Sequence, residues 1–418
     1  MESVNILLKH WFVVAMAALA LLAPVNSGRA ADPILESSNE GPEIISPGSD
    51  EETTDEPDLY QPSVSVPLSV GVPIFTPAIE FHGGVMFLQP SSDNLGWAVL
   101  TTEENYSSPV PIASPYWNIQ TIRPEMQPGF EFGAGYAFDS AGKDFQANWQ
   151  HLRTCTTQSA ATNNTGQWIS PFTQTGPPTA ASYDEIYFDT GVDLLQSAQA
   201  HVKFAYDAVN VDFGQYVSFG PALSMRMFAG LSFARVQERL LTSFYGVPPA
   251  SNAVFPDSVP LVISLNNTST FSGVGPRFGL DSTLETRRGF RFTGQVAGAL
   301  LIGRTDPAQY LFSATAPDLA AVGIAVNQEF IGSQSFTHVV PSGNAKLGVG
   351  YTHVGPRGRT FTVDGGYLAA VYLNTFSGFE ANNNVLALQI GSLSTASMRH
   401  TMSNFSLNGL YVNAGIQW

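Results

Sequence analysis

One cysteine, Cys155, in 418 residues rules out an intramolecular disulfide framework and any zinc site built on several thiolates. Charge is scarce too: 12% of residues are Asp, Glu, Lys or Arg, against about a quarter in an ordinary soluble domain. Basic residues number 18 against 34 acidic ones, a formal net charge of −16, so the basic patch that nucleic-acid binding requires is missing. Long apolar runs are missing as well. The one candidate, Trp11 to Leu22, falls well short of the ~20 residues needed by a spanning helix. If this chain sits in a membrane, it crosses as strands.

What is abundant fits that alternative. The chain has 38 Gly, 28 Phe and 14 Tyr, where a soluble protein of this length would carry a Lys/Glu-rich surface. Lys9 and His10 precede the short apolar run, and Pro24 and the small residues Ser27 to Ala31 follow it, so residues 1–30 read as a signal peptide cleaved near Ala30. Residues 31–77 are Pro/Ser-rich. Between Asp32 and Asp58 they carry ten acids and no Lys or Arg, −10 of the −16, and are expected to be a disordered periplasmic spacer or tether.

From residue 78 to 418 one pattern repeats: stretches of roughly ten residues with apolar side chains at alternate positions, the dyad of a transmembrane strand with lipid outside and lumen inside. Phe130, Phe132, Ala134 and Tyr136 alternate with Glu131, Gly133 and Gly135; Val202, Phe204 and Tyr206 alternate with Lys203 and Asp207. Met225, Met227, Ala229 and Leu231 stand against Arg226 and Gly230, and Phe290 and Phe292 against Arg291 and Thr293. The series predicts about ten strands, with phase slips near Ala208 and Gly409 that read as bulges. Short gaps (139–143, 214–221, 286–289, 355–358) alternate with long ones, as expected of periplasmic turns and extracellular loops. The final series, Leu410, Val412, Ala414, Ile416 and Trp418, puts an aromatic at the end of the last strand. Such an end reads as the signal by which the barrel-assembly machinery recognises its substrates. The expected fold is all-β: an antiparallel up-and-down transmembrane barrel of about ten strands in a bacterial outer membrane.

Four segments carry a resemblance: Gly83-Gly84-Val85-Met86-Phe87-Leu88-Gln89-Pro90, Pro128 to Tyr136, Asn148-Trp149-Gln150-His151-Leu152-Arg153-Thr154 and Gly275-Pro276-Arg277-Phe278-Gly279-Leu280-Asp281. Together they resemble the Legionella major outer membrane protein family of pore-forming proteins. The resemblance runs from Phe81 to Trp418 and implies an outer-membrane pore for small solutes or ions.

The residues themselves add a reading of the lumen. Inward positions are expected to carry Glu131, Lys203, Asp207, Arg226, Arg277, Asp281, Arg291, Lys346 and Asp364. Three opposite-charge pairs lie symmetrically about short turns: Asp207/Arg226, Asp281/Arg291 and Lys346/Asp364. Symmetry about a hairpin predicts that they face each other across the ladder. They either neutralise one another inside a narrow barrel and set register, or form a selective lining; a ten-stranded barrel leaves little interior, which favours the first. No Gly-x-Ser-x-Gly elbow or His-Glu-x-x-His helix accompanies His82, His151, His201 or His338, so no enzyme, cofactor or metal site is expected. The alternative to a pore is a non-conducting barrel that acts through its long loops in adhesion or anchoring. Expected partners are outer-membrane lipids, the assembly machinery and small solutes or ions, with self-association left open.

Overall fold

Successive stretches of the chain pair edge to edge until the last meets the first. In the computed structural model, which describes residues 70–72, 77–102, 118–138, 142–162, 167–171, 195–246, 261–286, 288–306, 309–315, 328–332, 334–381 and 398–418, ten long strands form a closed antiparallel ring. They are β1 (Ala78–Ser92), β2 (Gln127–Ala137), β3 (Lys143–Ala161), β4 (Leu195–Phe219), β5 (Leu223–Gly246), β6 (Leu261–Glu285), β7 (Phe290–Thr305), β8 (Phe336–Val354), β9 (Thr360–Ala381) and β10 (Met398–Gln417). Each pairs with its sequence neighbours, and β10 closes on β1 from Gln417↔Glu80 to Phe405↔Ser92. Closure leaves no unpaired edge, the condition for a sheet to sit in lipid. The protein is therefore an outer-membrane-type β-barrel. The expected signal peptide and acidic segment lie outside the described residues, apart from residues 70–72 and 77; Val70–Gly71 pairs with the periplasmic end of β4.

Four turns are short, and each contains a glycine in the left-handed region: Gly142, Gly220, Gly289 and Gly358, with φ from 61° to 81°. A side chain is strained there, which makes glycine the residue for these reversals. One turn differs from expectation. Gly214 to Phe219 is strand, and the reversal after β4 occupies only residues 220–222.

Strands outrun the membrane on the other side. β4 and β6 each have 25 residues, whereas about ten tilted residues cross the hydrocarbon. The ends of the long gaps, such as residues 155–161, 261–268 and 374–381, are thus an extracellular extension of the barrel wall. A separate three-stranded sheet, residues 96–102 flanked by 118–121 and 167–171, adds Trp97, Ala98 and Ile169 to the buried apolar cluster, with Leu95 and Ile122 from its ends.

The lipid-facing band is legible in single rows. Trp149, Val209, Phe233, Val274, Ile302 and Val339 are register partners across six neighbouring strands, and all are exposed on the outer face. Leu410, Val412 and Trp418 are likewise outward; Trp418 stacks on Phe81 at 5.5 Å and exchanges backbone hydrogen bonds with Ile79.

The expected phase slips are not bulges. Pairing runs unbroken through Ala208 and Gly409; the irregularity on β9 lies between Tyr372 and Phe376, where Asn374 has φ 54°. What changes at Ala208 is the side that is apolar. Below it Val209, Val211 and Phe213 point to lipid; above it Val202, Phe204 and Tyr206 point inward and are buried.

Candidate functional site

The lumen is the site, and its walls follow from the inward half of each dyad. On the periplasmic side it is polar. A cavity of about 450 Å³, open at the turns, is lined by Glu80, Asp144, Tyr216, Thr283, Arg291 and Thr362 among others. A second of about 220 Å³ shares those walls in part and adds His82, Glu131, Lys346, Asp364 and Tyr411.

Seven of the nine expected lumen charges point inward: Glu131, Arg226, Arg277, Asp281, Arg291, Lys346 and Asp364. The other two do not. Lys203 and Asp207 face outward on β4, because the apolar residues that set their expected phase are interior ones. Asp207 bonds His151 on the outer wall at 2.6 Å.

The expected hairpin pairings are also corrected. Asp207 opposes Arg235, Asp281 opposes Gln295, and Lys346 and Asp364 oppose Leu368 and Gly350. A turn centre misplaced by two residues moves the partner by four, as at Asp281 and Lys346; at Asp207 the turn lies further along and the partner moves by nine.

The pairs that do form reach further. Arg226 Nε donates to Asp144 at 2.9 Å and its Nη1 to Asp281 at 2.9 Å; Arg291 Nη2 donates to Asp364 at 3.0 Å; Arg277 pairs with Asp212. Three of these bonds cross an intervening strand at a glycine. A Cβ at Gly214 would lie 2.3 Å from both Arg226 Nε and Asp144 Oδ1. At Gly230 it would meet Asp212, and at Gly350 it would lie 2.9 Å from Arg291 Nε and from Asp364 Cβ. Bare backbone at these points lets a guanidinium lie flat over the neighbouring strand. Asp144 and Asp212 were missed in the sequence. The alternation Asn210, Asp212, Gly214 against Val209, Val211, Phe213 was the available signal.

Lys346 on β8 crosses the lumen to Glu131 on β2, with Nζ 2.7 Å from both carboxylate oxygens. From there a chain of hydrogen bonds rises. Gln150 Nε2 donates to Glu131 at 3.3 Å, Tyr206 donates to Gln150 Oε1 at 3.2 Å, and the Tyr206 and Tyr372 hydroxyls meet at 2.9 Å.

Above this tyrosine pair the lumen is mainly apolar, with scattered buried Ser and Thr. Phe405 packs on Phe204, Tyr206, Tyr372 and Phe376 with ring centroids 5.5–6.1 Å apart. Met86, Leu88, Leu152, Val236, Phe271, Leu301, Val340 and Leu407 continue the same buried cluster. At the tyrosine layer the remaining cavity is about 20 Å³, the room of a single water. An exception within the apolar half is Glu238, a buried acid on β5. Among the described residues no group of three or more His, Cys, Asp or Glu could hold a metal ion.

The family model of the Legionella pneumophila major outer membrane protein precursor matches residues 71–418. No curated protein matches the sequence. Among solved structures, the chain is similar to the outer membrane protease OmpT from Escherichia coli, at 9% identity over 82% of this chain and 96% of that one, TM-score 0.36. It is also similar to the toluene transporter TodX of P. putida (9% identity, 81% and 89% covered, TM-score 0.25). A Pseudomonas aeruginosa FadL homologue gives 6% identity, 82% and 90% covered, and a TM-score of 0.22.

Proposed function

Because the chain belongs to the Legionella pneumophila major outer membrane protein family, we propose that it is a gated pore of the outer membrane for small polar solutes or ions, closed in this structure. The observation that carries this reading is the polar half-lumen: two adjoining cavities of about 450 and 220 Å³ lead from the periplasmic mouth to mid-barrel. A barrel with only a structural role has no need of such a wet vestibule. The apolar layer around Phe204, Tyr206, Tyr372 and Phe405 is the barrier. A hydrophobic constriction of this kind closes a pore by excluding water.

The pore needs no catalysis by its own residues. Its assembly would rest on the outward series ending at Trp418, presented to the barrel-assembly machinery.

A second reading has its own support. The tight aromatic packing above the tyrosine pair suits a permanently non-conducting barrel that works through its extracellular extension.

Conductance of refolded protein in planar bilayers separates the two. The gated pore predicts brief, rare openings for the native chain and a marked rise in open time for Phe204→Ala/Phe405→Ala. No current from either protein, with both correctly folded, would establish the non-conducting reading.

A further inference from the structure

The lumen cations Arg226, Arg277, Arg291 and Lys346 are all ion-paired, whereas among the described residues those on the outer wall of β3, β4 and β5 are not. Arg153 on β3, Lys203 on β4 and Arg235 and Arg239 on β5 are exposed and point outward. Among the described residues none of the four has a salt bridge, and Arg239 is held only by donating to Asn266 Oδ1 at 3.2 Å. Lys203 and Arg239 are direct register partners on one face. Like charges opposed across a ladder destabilise it, unless an anion lies between them. The wall itself supplies little. Asp207 is the one outward acid on β3, β4 and β5, and its carboxylate is taken by His151.

Height places this cluster. An apolar band about 25 Å tall is crossed by roughly ten residues of a strand tilted by about 40°. Counted from the periplasmic ends at Lys143, Phe219 and Leu223, that length reaches Arg153, Val209 and Phe233. Val209 and Phe233, with their register partner Trp149, form a lipid-facing row directly beneath Arg235. Arg153 and Arg235 therefore stand at the headgroup level of the outer leaflet. Lys203 and Arg239 lie one to two rows higher and reach down to it with their long side chains.

We infer that the outer wall of β3–β5 binds phosphate groups of outer-leaflet lipid, with Arg153, Lys203, Arg235 and Arg239 as the clamp. Each cation near a charged lipid surface contributes about 1 kcal/mol, about fivefold in affinity. Position at the lipid edge selects a phosphate carried on a lipid over one free in solution.

The test uses the full barrel in neutral detergent, with phosphatidic acid as the phosphate-bearing lipid. Lipids retained per barrel are counted by native mass spectrometry, and the melting midpoint is followed by tryptophan fluorescence. The native protein should retain phosphatidic acid over phosphatidylcholine and melt higher with it. Lys203→Gln/Arg239→Gln should lose at least tenfold in retention and most of the melting shift, while Arg288→Gln/Arg359→Gln at the periplasmic turns should keep both. Lys203→Arg, which preserves charge and folding, should bind as the native chain does. Equal retention by the Lys203→Gln/Arg239→Gln variant and the native protein would overturn the assignment. So would an equal melting shift from inorganic phosphate, which would make this a site for free anions.

Discussion

The two halves of this lumen are built by opposite rules. Toward the periplasm the interior is polar, its charges are paired over glycines, and the apolar side chains face lipid. Toward the exterior the wall extends past the membrane, and strands of the same barrel, β4 and β5 above all, turn apolar side chains inward, as a soluble β-protein does. β4 carries both rules without a break in pairing: Phe213 and Val209 point outward, Tyr206, Phe204 and Val202 inward. The lesson is that side-chain phase in a barrel is read against the solvent at each height, not against the strand.

The comparison can be broken first at its most expensive point. Lys346→Met leaves the Glu131 carboxylate buried with Gln150 as its remaining hydrogen-bond donor. Removing one member of a buried pair costs about 3–5 kcal/mol, so urea unfolding of the refolded barrel should shift by that amount. Adding Glu131→Gln should recover most of the loss; an unchanged midpoint in the single variant would mean that this crossing bond contributes nothing.

In the apolar half the corresponding change makes a hole. Leu301→Ala, at a fully buried position, should cost about 2–4 kcal/mol through lost transfer energy and cavity, while the Glu131–Lys346 bond stays intact. Gly350→Ala should have the smallest effect of the three. Its Cβ would press on Arg291 and Asp364, costing about 1–3 kcal/mol as overpacking does. The same substitution at Gly298, where nothing lies nearer than 3.7 Å, should be close to neutral in a parallel unfolding measurement.

Much of the fold was legible because the lipid rule holds where it was applied. Phe132, Tyr136, Phe292 and Val363 are outward and exposed, as their alternation implies. The glycine-bearing turns at 286–289 and 355–358 could be read from composition. Lys203 and Asp207 were not legible, because Val202, Phe204 and Tyr206 alternate as cleanly as lipid-facing residues do and only the strand's height tells them apart. The charge pairs were not legible either. Arg226 reaches Asp144 over an intervening strand, a contact that depends on ring order and on the space at Gly214, neither of which a hairpin symmetry argument contains.

A gated pore of this build requires that water enter the barrel from the periplasm and stop at the Tyr206–Tyr372 layer. The direct measurement is labelling of a single engineered thiol at inward Thr293, in a Cys155→Ser background, by a small membrane-impermeant reagent applied to one face of oriented vesicles. The reagent should modify Thr293→Cys rapidly from the periplasmic face and at least a hundredfold more slowly from the outside. Equal rates from both faces would mean that the outer half is open, and would contradict the account.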